Sequence, residues 1–258
     1  MNGLILHGDK RYIYTQKFLE RLGYGFTGGP LDFVVFPFNT QVAPVDTSTY
    51  DENFFKGLGK NAVIFSGVAD GYIGQKAAEN NLPYYPMMDD KTIQIKNAIP
   101  TTEGVLAYIV QNSLITIAAA RVLVIGYGVC GRDIGKKLKA LGAAVTALVR
   151  NQEKESAAMA DGIPAVYAPT GQWDIIINTV PATVLTNPML DALAPAMVID
   201  IASKPYGLDM AYAQTLNPKS ALLPGIPGKY AIKTAGEILG EYIDKIVKYR
   251  SGLDENRK

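Results

Sequence analysis

The chain has 258 residues, 48% of them apolar and 19% charged, with 25 lysines and arginines against 24 aspartates and glutamates. A net charge of +1 gives no bulk electrostatic attraction to nucleic acid or to an anionic membrane, so neither is an expected partner. One cysteine excludes an intrachain disulfide and a cysteine-built metal cage, and one histidine, His7, excludes a histidine-rich metal site; no metal is expected.

The N-terminus, Met1 to His7, lacks the basic stretch and cleavage signature of an export leader. The apolar stretch Leu114 to Ile125 is interrupted by Thr116 and Arg121 and is too short to span a bilayer, so the expected location is the cytoplasm. Gly3 to His7 read as a short buried strand, Gly8-Asp9-Lys10-Arg11 as a turn, and Tyr12 to Leu22 as a helix. Apolar runs at Phe33–Phe36 and Ala62–Phe65 predict two more strands, and Tyr72 to Asn80 a second helix. A polar segment from Pro37 to Phe54 predicts a long loop or lid. This strand–helix alternation predicts a small parallel α/β domain. After Pro100, Thr101 or Thr102 is expected to cap a helix with Glu103 in its first turn.

Strands then follow at Arg121–Ile125, Ala144–Val149, Ala165–Tyr167, Asp174–Thr179, Met197–Ile201 and Ser220–Pro224, with helices between them. Six such strands predict a Rossmann-like, doubly wound parallel sheet domain beside the smaller N-terminal α/β domain. The expected division is 1–100 for the N-terminal domain and 101–232 for the nucleotide-binding domain. Residues 233–258 form a C-terminal helix and tail, with Ile238, Leu239, Tyr242, Ile243 and Ile246 on one face. Cys130 is expected to be a small packing residue rather than a redox group.

Gly126-Tyr127-Gly128-Val129-Cys130-Gly131 stands between the first of these strands and a helix. That context turns G-x-G-x-x-G into a dinucleotide fingerprint. Gly126 allows the tight turn, Gly128 lets the backbone approach a pyrophosphate, and Gly131 lets helix pack on strand. The second strand ends Leu148-Val149-Arg150-Asn151, with no acid to bind a ribose diol. Arg150 can face a 2′-phosphate instead, which favours NADP and leaves NAD as the alternative. Ligands collect at the carboxyl ends of such strands, so Asn178, Thr179, Val180 and Pro181 join the candidate cofactor contacts. The loops at Ala202–Gly207 and Pro224–Lys229 lie at the same edge.

Longer motifs carry more specific information. Asp200-Ile201-Ala202-Ser203-Lys204-Pro205, with Gly207 and Asp209, is one. The run Pro224-Gly225-Ile226-Pro227-Gly228-Lys229 and its continuation to Gly236 is another. With Val63–Gly67, Asn97–Gly104 and the glycine turn, they resemble the family of dipicolinate synthase A subunits over nearly the whole chain. The chain departs from that pattern by a shortened Gly23–Pro30, by His7 in place of a small residue, and by Ile232 in place of proline. The resemblance implies NADP-dependent oxidation of a dihydrodipicolinate-type lysine-pathway intermediate to pyridine-2,6-dicarboxylate in a sporulating cell. The flavoprotein-like B subunit of dipicolinate synthase is the implied partner; a homo-oligomer is left open.

A ring with two carboxylates needs cationic or N–H-rich anchors. Arg11, Lys204, Lys229 and Lys233 are the candidate cations, and Lys204 is singled out as carboxylate anchor. Glu103, Asp9, Lys204 and His7 are the candidate proton carriers, and Ser66, Asn97 and Thr101 the hydrogen-bonding groups. A cleft between the domains is the expected site, with Ser66, Asn97, Thr101 and Glu103 on one side and Ser203, Lys204, Gly228 and Lys229 on the other. A 2-hydroxyacid dehydrogenase would need an acid/base histidine later in the chain than His7. A non-catalytic nucleotide-binding regulatory protein would keep the glycine turn and is not distinguished from an enzyme by sequence.

Overall fold

The structure, a computed structural model, describes residues 1–6, 8–40 and 43–252. Its contacts divide the chain into two units, Met1–Asn97 together with the residues from Ala231 onward, and Ala98–Tyr230.

In the first unit the chain runs through β1 (Gly3–Ile5), α1 (Arg11–Arg21), β2 (Phe33–Val35), α2 (Glu52–Gly57), β3 (Val63–Ser66), α3 (Gly71–Glu79) and β4 (Tyr84–Pro86). The four strands form one parallel sheet in the order β1-β2-β3-β4. Period-two alternation sends Phe33, Val35, Val63 and Phe65 to one face, with Tyr12 and Leu19 of α1. Val34 and Ile64 go to the other, with Phe55, Ile73 and Ala77. The predicted loop ends earlier than Phe54. Asp51 caps α2 by accepting the amides of Asn53 and Phe54 at 2.9 and 3.0 Å.

The long helix α4 (Lys91–Asn112) corrects the expected start after Pro100. Asp90 caps it, accepting from the amides of Thr92 (2.7 Å) and Ile93 (3.1 Å), and Pro100 lies within it. Thr101 and Thr102 are therefore interior residues. The proline removes one intrahelical hydrogen bond, but Ala98, Val105 and Ile109 are buried at helical spacing and hold the helix across it.

The second unit continues with β5 (Arg121–Ile125), α5 (Val129–Ala140), β6 (Ala144–Leu148), α6 (Gln152–Ala160), β7 (Ala165–Val166) and β8 (Ile175–Asn178). It ends with α7 (Asn187–Leu193), β9 (Met197–Asp200), α8 (Met210–Leu216) and β10 (Ala221–Leu222). All strands are parallel, in the order β10-β9-β8-β5-β6-β7. The strand order reverses at β5 and β8, the switch point at which doubly wound sheets bind ligands. Val122 and Val124 pack with Val105, Ile109, Ile134 and Leu138 on one face. Leu123 and Ile125 pack with Leu190, Leu193 and Ala213 on the other.

The final helix, α9 (Ile232–Ser251), belongs to the first unit rather than standing apart. Its apolar face, including Ile238, Leu239 and Ile243, joins Tyr12 and Leu19 of α1 in one core. Gly236 and Gly240 permit this approach, since a Cβ at Gly236 would overlap Arg11 backbone and one at Gly240 the Phe18 ring. Among the described residues, no helix is long and apolar enough to cross a membrane, and no cluster of three potential metal ligands occurs.

Candidate functional site

The glycine turn joins β5 to α5 at the switch point. Gly126 has φ +86°, a conformation that disfavours side chains, and a Cβ there would meet Thr179 and Val180. A Cβ at Gly131 would overlap the Gly126 carbonyl. Gly128 is different: a Cβ there meets nothing within 4 Å. Gly128 is also the N-cap of α5 and provides no side-chain cap, so the first-turn amides are not closed off by a capping side chain. This leaves room for a backbone-bound anion at a helix N-terminus, as a pyrophosphate requires.

Tyr127 contributes backbone to the turn but not its side chain. The ring is buried in the core and its hydroxyl donates to Asp161 at 3.0 Å. Burial, with the hydrogen bond to Asp161, raises its pKa. Arg132 forks onto the same carboxylate at 2.6 and 3.0 Å. Cys130 is half-buried, and burial pushes its thiol up, so it is a poor thiolate. Val129 is half-buried beside it.

At the end of β6, Arg150 is exposed and makes no hydrogen bond or ion pair among the described residues. Asn151 caps α6, accepting the Lys154 amide at 3.0 Å. No carboxylate occupies the strand terminus.

The strand ends β8, β9 and β10 are tied into one network around Asp200, a buried carboxylate at 0% exposure. Its Oδ1 accepts from Asn178 Nδ2 (2.9 Å) and the Ala202 amide (2.8 Å), and its Oδ2 from the Gly207 amide (2.9 Å). Its own carbonyl accepts the Leu223 amide at 2.8 Å. Asn178 also donates to the Val180 carbonyl and accepts the Val180 amide. A side chain on Gly207 would overlap Asn178 and Val180. The expectation that the Asn178 side chain contacts the cofactor is thus corrected: it is fully buried, and its amide holds the edge together. Thr179 likewise donates to the Ile125 carbonyl at 2.8 Å and ties β8 to the glycine turn. Val180 is half-buried and Pro181 exposed at that edge.

This clamp fixes the loop bearing Ser203 and Lys204. Both residues are exposed, and the Tyr206 amide closes the loop onto the Ser203 carbonyl at 2.9 Å. The loop after β10 turns at Gly225 (φ +64°), buries Ile226 and Pro227, and presents Lys229 to solvent. The Gly228 amide donates to the Gly225 carbonyl at 3.0 Å. A Cβ at Gly104 of α4 would overlap Ile226 and Tyr230, so the glycine lets this loop pack on the helix. Glu103 and Lys229 each stand one residue from that contact, and both are exposed. Lys204 and Lys229 make no ion pair among the described residues.

Ser66 requires correction. It is fully buried, donates to the Val68 carbonyl at 2.7 Å and lies 2.6 Å from the Tyr84 hydroxyl, so its hydroxyl is committed inside the first unit. Thr101 is buried, Asn97 is half-buried, and neither lacks a partner. His7 lies outside the described residues. A cavity of about 400 Å³ opens at the opposite end of β5 and β6, lined by Arg121, Lys139 and Trp173, and shares no residue with the glycine turn.

Sequence reasoning singled out the motif containing Asp200 but missed its role. A signal was present: Asn178 and Asp200 each end an otherwise apolar strand, and they are register partners. Polar groups at such positions must find partners inside.

The NAD-binding domain family of D-isomer-specific 2-hydroxyacid dehydrogenases matches residues 106–198. The A subunit of dipicolinate synthase from Bacillus subtilis (strain 168) is 30% identical over 260 residues, covering 91% of this chain and 87% of that protein. The crystal structure of the dipicolinate synthase A subunit from Bacillus halodurans matches with a TM-score of 0.81 at 27% identity, over 95% of this chain and 97% of that one. The A chain of dipicolinate synthase from Bacillus subtilis matches in fold with a TM-score of 0.83 at 24% identity, over 98% and 97%.

Proposed function

Because the chain belongs to the family of dipicolinate synthase A subunits, we propose that it is a nicotinamide-dinucleotide oxidoreductase. In this reading it oxidises a dihydrodipicolinate-type intermediate of the lysine pathway to pyridine-2,6-dicarboxylate. It acts with the flavoprotein-like B subunit of the synthase in the cytoplasm of a sporulating cell. The observation that carries the reading is Gly128, open above an α5 N-terminus that lacks a side-chain cap. The matched dehydrogenase domain supports the same cofactor class. The 2-hydroxyacid chemistry of that wider family is not proposed, since its acid/base histidine has no counterpart after His7.

The residues fit the dinucleotide in three places. The backbone of Gly126, Tyr127, Gly128, Val129, Cys130 and Gly131 would hold the pyrophosphate, Arg150 would meet a 2′-phosphate, and Val180 and Pro181 would contact the nicotinamide side. When bound, the cofactor supplies the hydride acceptor. Lys204, held by the Asp200 clamp, anchors a ring carboxylate, and Ser203, Gly228 and Lys229 supply further donors. Glu103 takes the ring proton that leaves as the hydride departs. Aromatisation provides driving force, so the chain acts chiefly by orienting the reactants.

Two variants test these roles. Arg150→Asp is expected to weaken NADP and spare or strengthen NAD in a calorimetric titration; equal affinities in the unmodified protein would refute the NADP assignment. Lys204→Ala is expected to lower turnover by about 30-fold or more, the lower end for losing one partner of a desolvated charge pair, with NADP affinity unchanged. Unaltered turnover, or a loss confined to nucleotide binding, would remove Lys204 as anchor.

A further inference from the structure

Arg11, the first residue of α1, is only 4% exposed. A buried guanidinium is costly unless it is paired and hydrogen-bonded. Asp9 supplies the pairing: Nε donates to Oδ1 at 2.9 Å and Nη2 to Oδ2 at 2.6 Å. Oδ1 also accepts the Arg11 amide at 2.9 Å. Burial pushes the Asp9 carboxyl up, but its bonds to Arg11 and the guanidinium charge outweigh that and hold it below its ordinary range. The Phe38 ring stacks on the guanidinium, its centroid 3.7 Å from Cζ. That position is built into the sequence, because a Cβ at Gly67, after β3, would overlap the Phe38 ring and carbonyl.

The fork and the stacked ring fix the plane of the group and leave its third nitrogen, Nη1, without a hydrogen bond among the described residues. An oriented pair of N–H donors therefore stands at the start of α1, past the carboxyl end of β1 and against Phe38, which follows β2. A tie between the turn and α1 would need the charge but not this orientation. Asp9 neutralises the pair, which disfavours a dianionic phosphate and suits a planar monoanionic group with two acceptor oxygens.

Resting on the dicarboxylate reading above, we propose that Arg11 is a carboxylate anchor of the first unit, oriented by Asp9 and Phe38. The test is calorimetric binding of pyridine-2,6-dicarboxylate and of a panel of other small dicarboxylates to the full chain, with NADP affinity and the thermal midpoint measured alongside. Arg11→Gln is expected to weaken dicarboxylate binding at least tenfold and to leave NADP affinity unchanged. Arg11→Lys keeps the charge and loses the fork. Should the thermal midpoint show that Arg11→Gln fails to fold, Arg11→Lys carries the test, and it is expected to fold and to show the same weakening in smaller measure. Unchanged dicarboxylate affinity in either folded variant would overturn the anchor and leave the proposed reaction standing. Arg11-dependent binding of a different dicarboxylate, with none of pyridine-2,6-dicarboxylate, would support the anchor and overturn the proposed substrate. No binding of any dicarboxylate to the unmodified chain would overturn the anchor.

Discussion

Gly128→Val is expected to abolish dinucleotide binding in a protein that remains folded. The backbone at Gly128 has φ −82° and ψ −163°, which any L-residue adopts, and a Cβ there meets no protein atom within 4 Å. Replacing glycine by valine at an N-cap costs the fold on the order of 1 kcal/mol. The effect on ligand is expected to be much larger, because in the proposed site that space is the one a pyrophosphate would occupy against the backbone. Affinity should fall by more than about 100-fold, equivalent to a little under 3 kcal/mol. Gly131→Ala provides the contrast. Its Cβ would overlap the Gly126 carbonyl, so it should lower the thermal midpoint as well as affinity. Calorimetric titration with thermal unfolding separates the two, and unaltered affinity in folded Gly128→Val would remove the turn from the cofactor site.

Asp200→Ala should be the most destabilising single change at the sheet edge. The carboxylate is buried and accepts from two backbone amides and from Asn178. Truncation leaves those donors buried without an acceptor, at about 1–3 kcal/mol for each unsatisfied group. A total on the order of 3–5 kcal/mol is a large fraction of the stability of an ordinary domain. Because the amides belong to Ala202 and Gly207, the loop between them, which carries Lys204, should also lose its fixed geometry. Denaturant unfolding checks the first effect. Hydrogen exchange at Ala202 and Gly207 checks the second, and protection there equal to that of the unmodified chain would show that Asp200 does not hold the loop.

Three strands of the first sheet and the six of the second were legible because their apolar runs are dense and bounded by glycine, proline or polar residues; β4 was not, since Tyr84–Pro86 is short and only half-buried. The switch-point turn was legible because Gly126 and Gly131 each have a distinct steric reason in the fold. The start of α4 was not, since Pro100 is a strong local breaker and only burial of Ala98, Val105 and Ile109 overrides it. Placing α9 with α1 required knowing which apolar faces meet, and a single helix pattern does not give that. At the site, sequence singled out Asn178 and Ser66 as potential contacts because polar residues after strands often face ligands, and Tyr127 as a member of the glycine turn. Each instead uses its polar group internally. The partner that captures Asn178, Asp200, comes from another strand and becomes visible only through register. The Asp9–Arg11–Phe38 arrangement was hidden for the same reason: Phe38 reaches Arg11 from a distant part of the chain.

The most direct test of the proposed reaction is a turnover measurement that follows reduced nicotinamide and pyridine-2,6-dicarboxylate together. The purified chain is supplied with a dihydrodipicolinate-type acid and NADP, with and without the flavoprotein-like partner. Both products are expected to form in a one-to-one ratio, and Gly128→Val is expected to form neither. Tight NADP binding with no reduction, whether or not the partner is present, would contradict the reaction and would make the chain a non-catalytic nucleotide-binding regulatory protein.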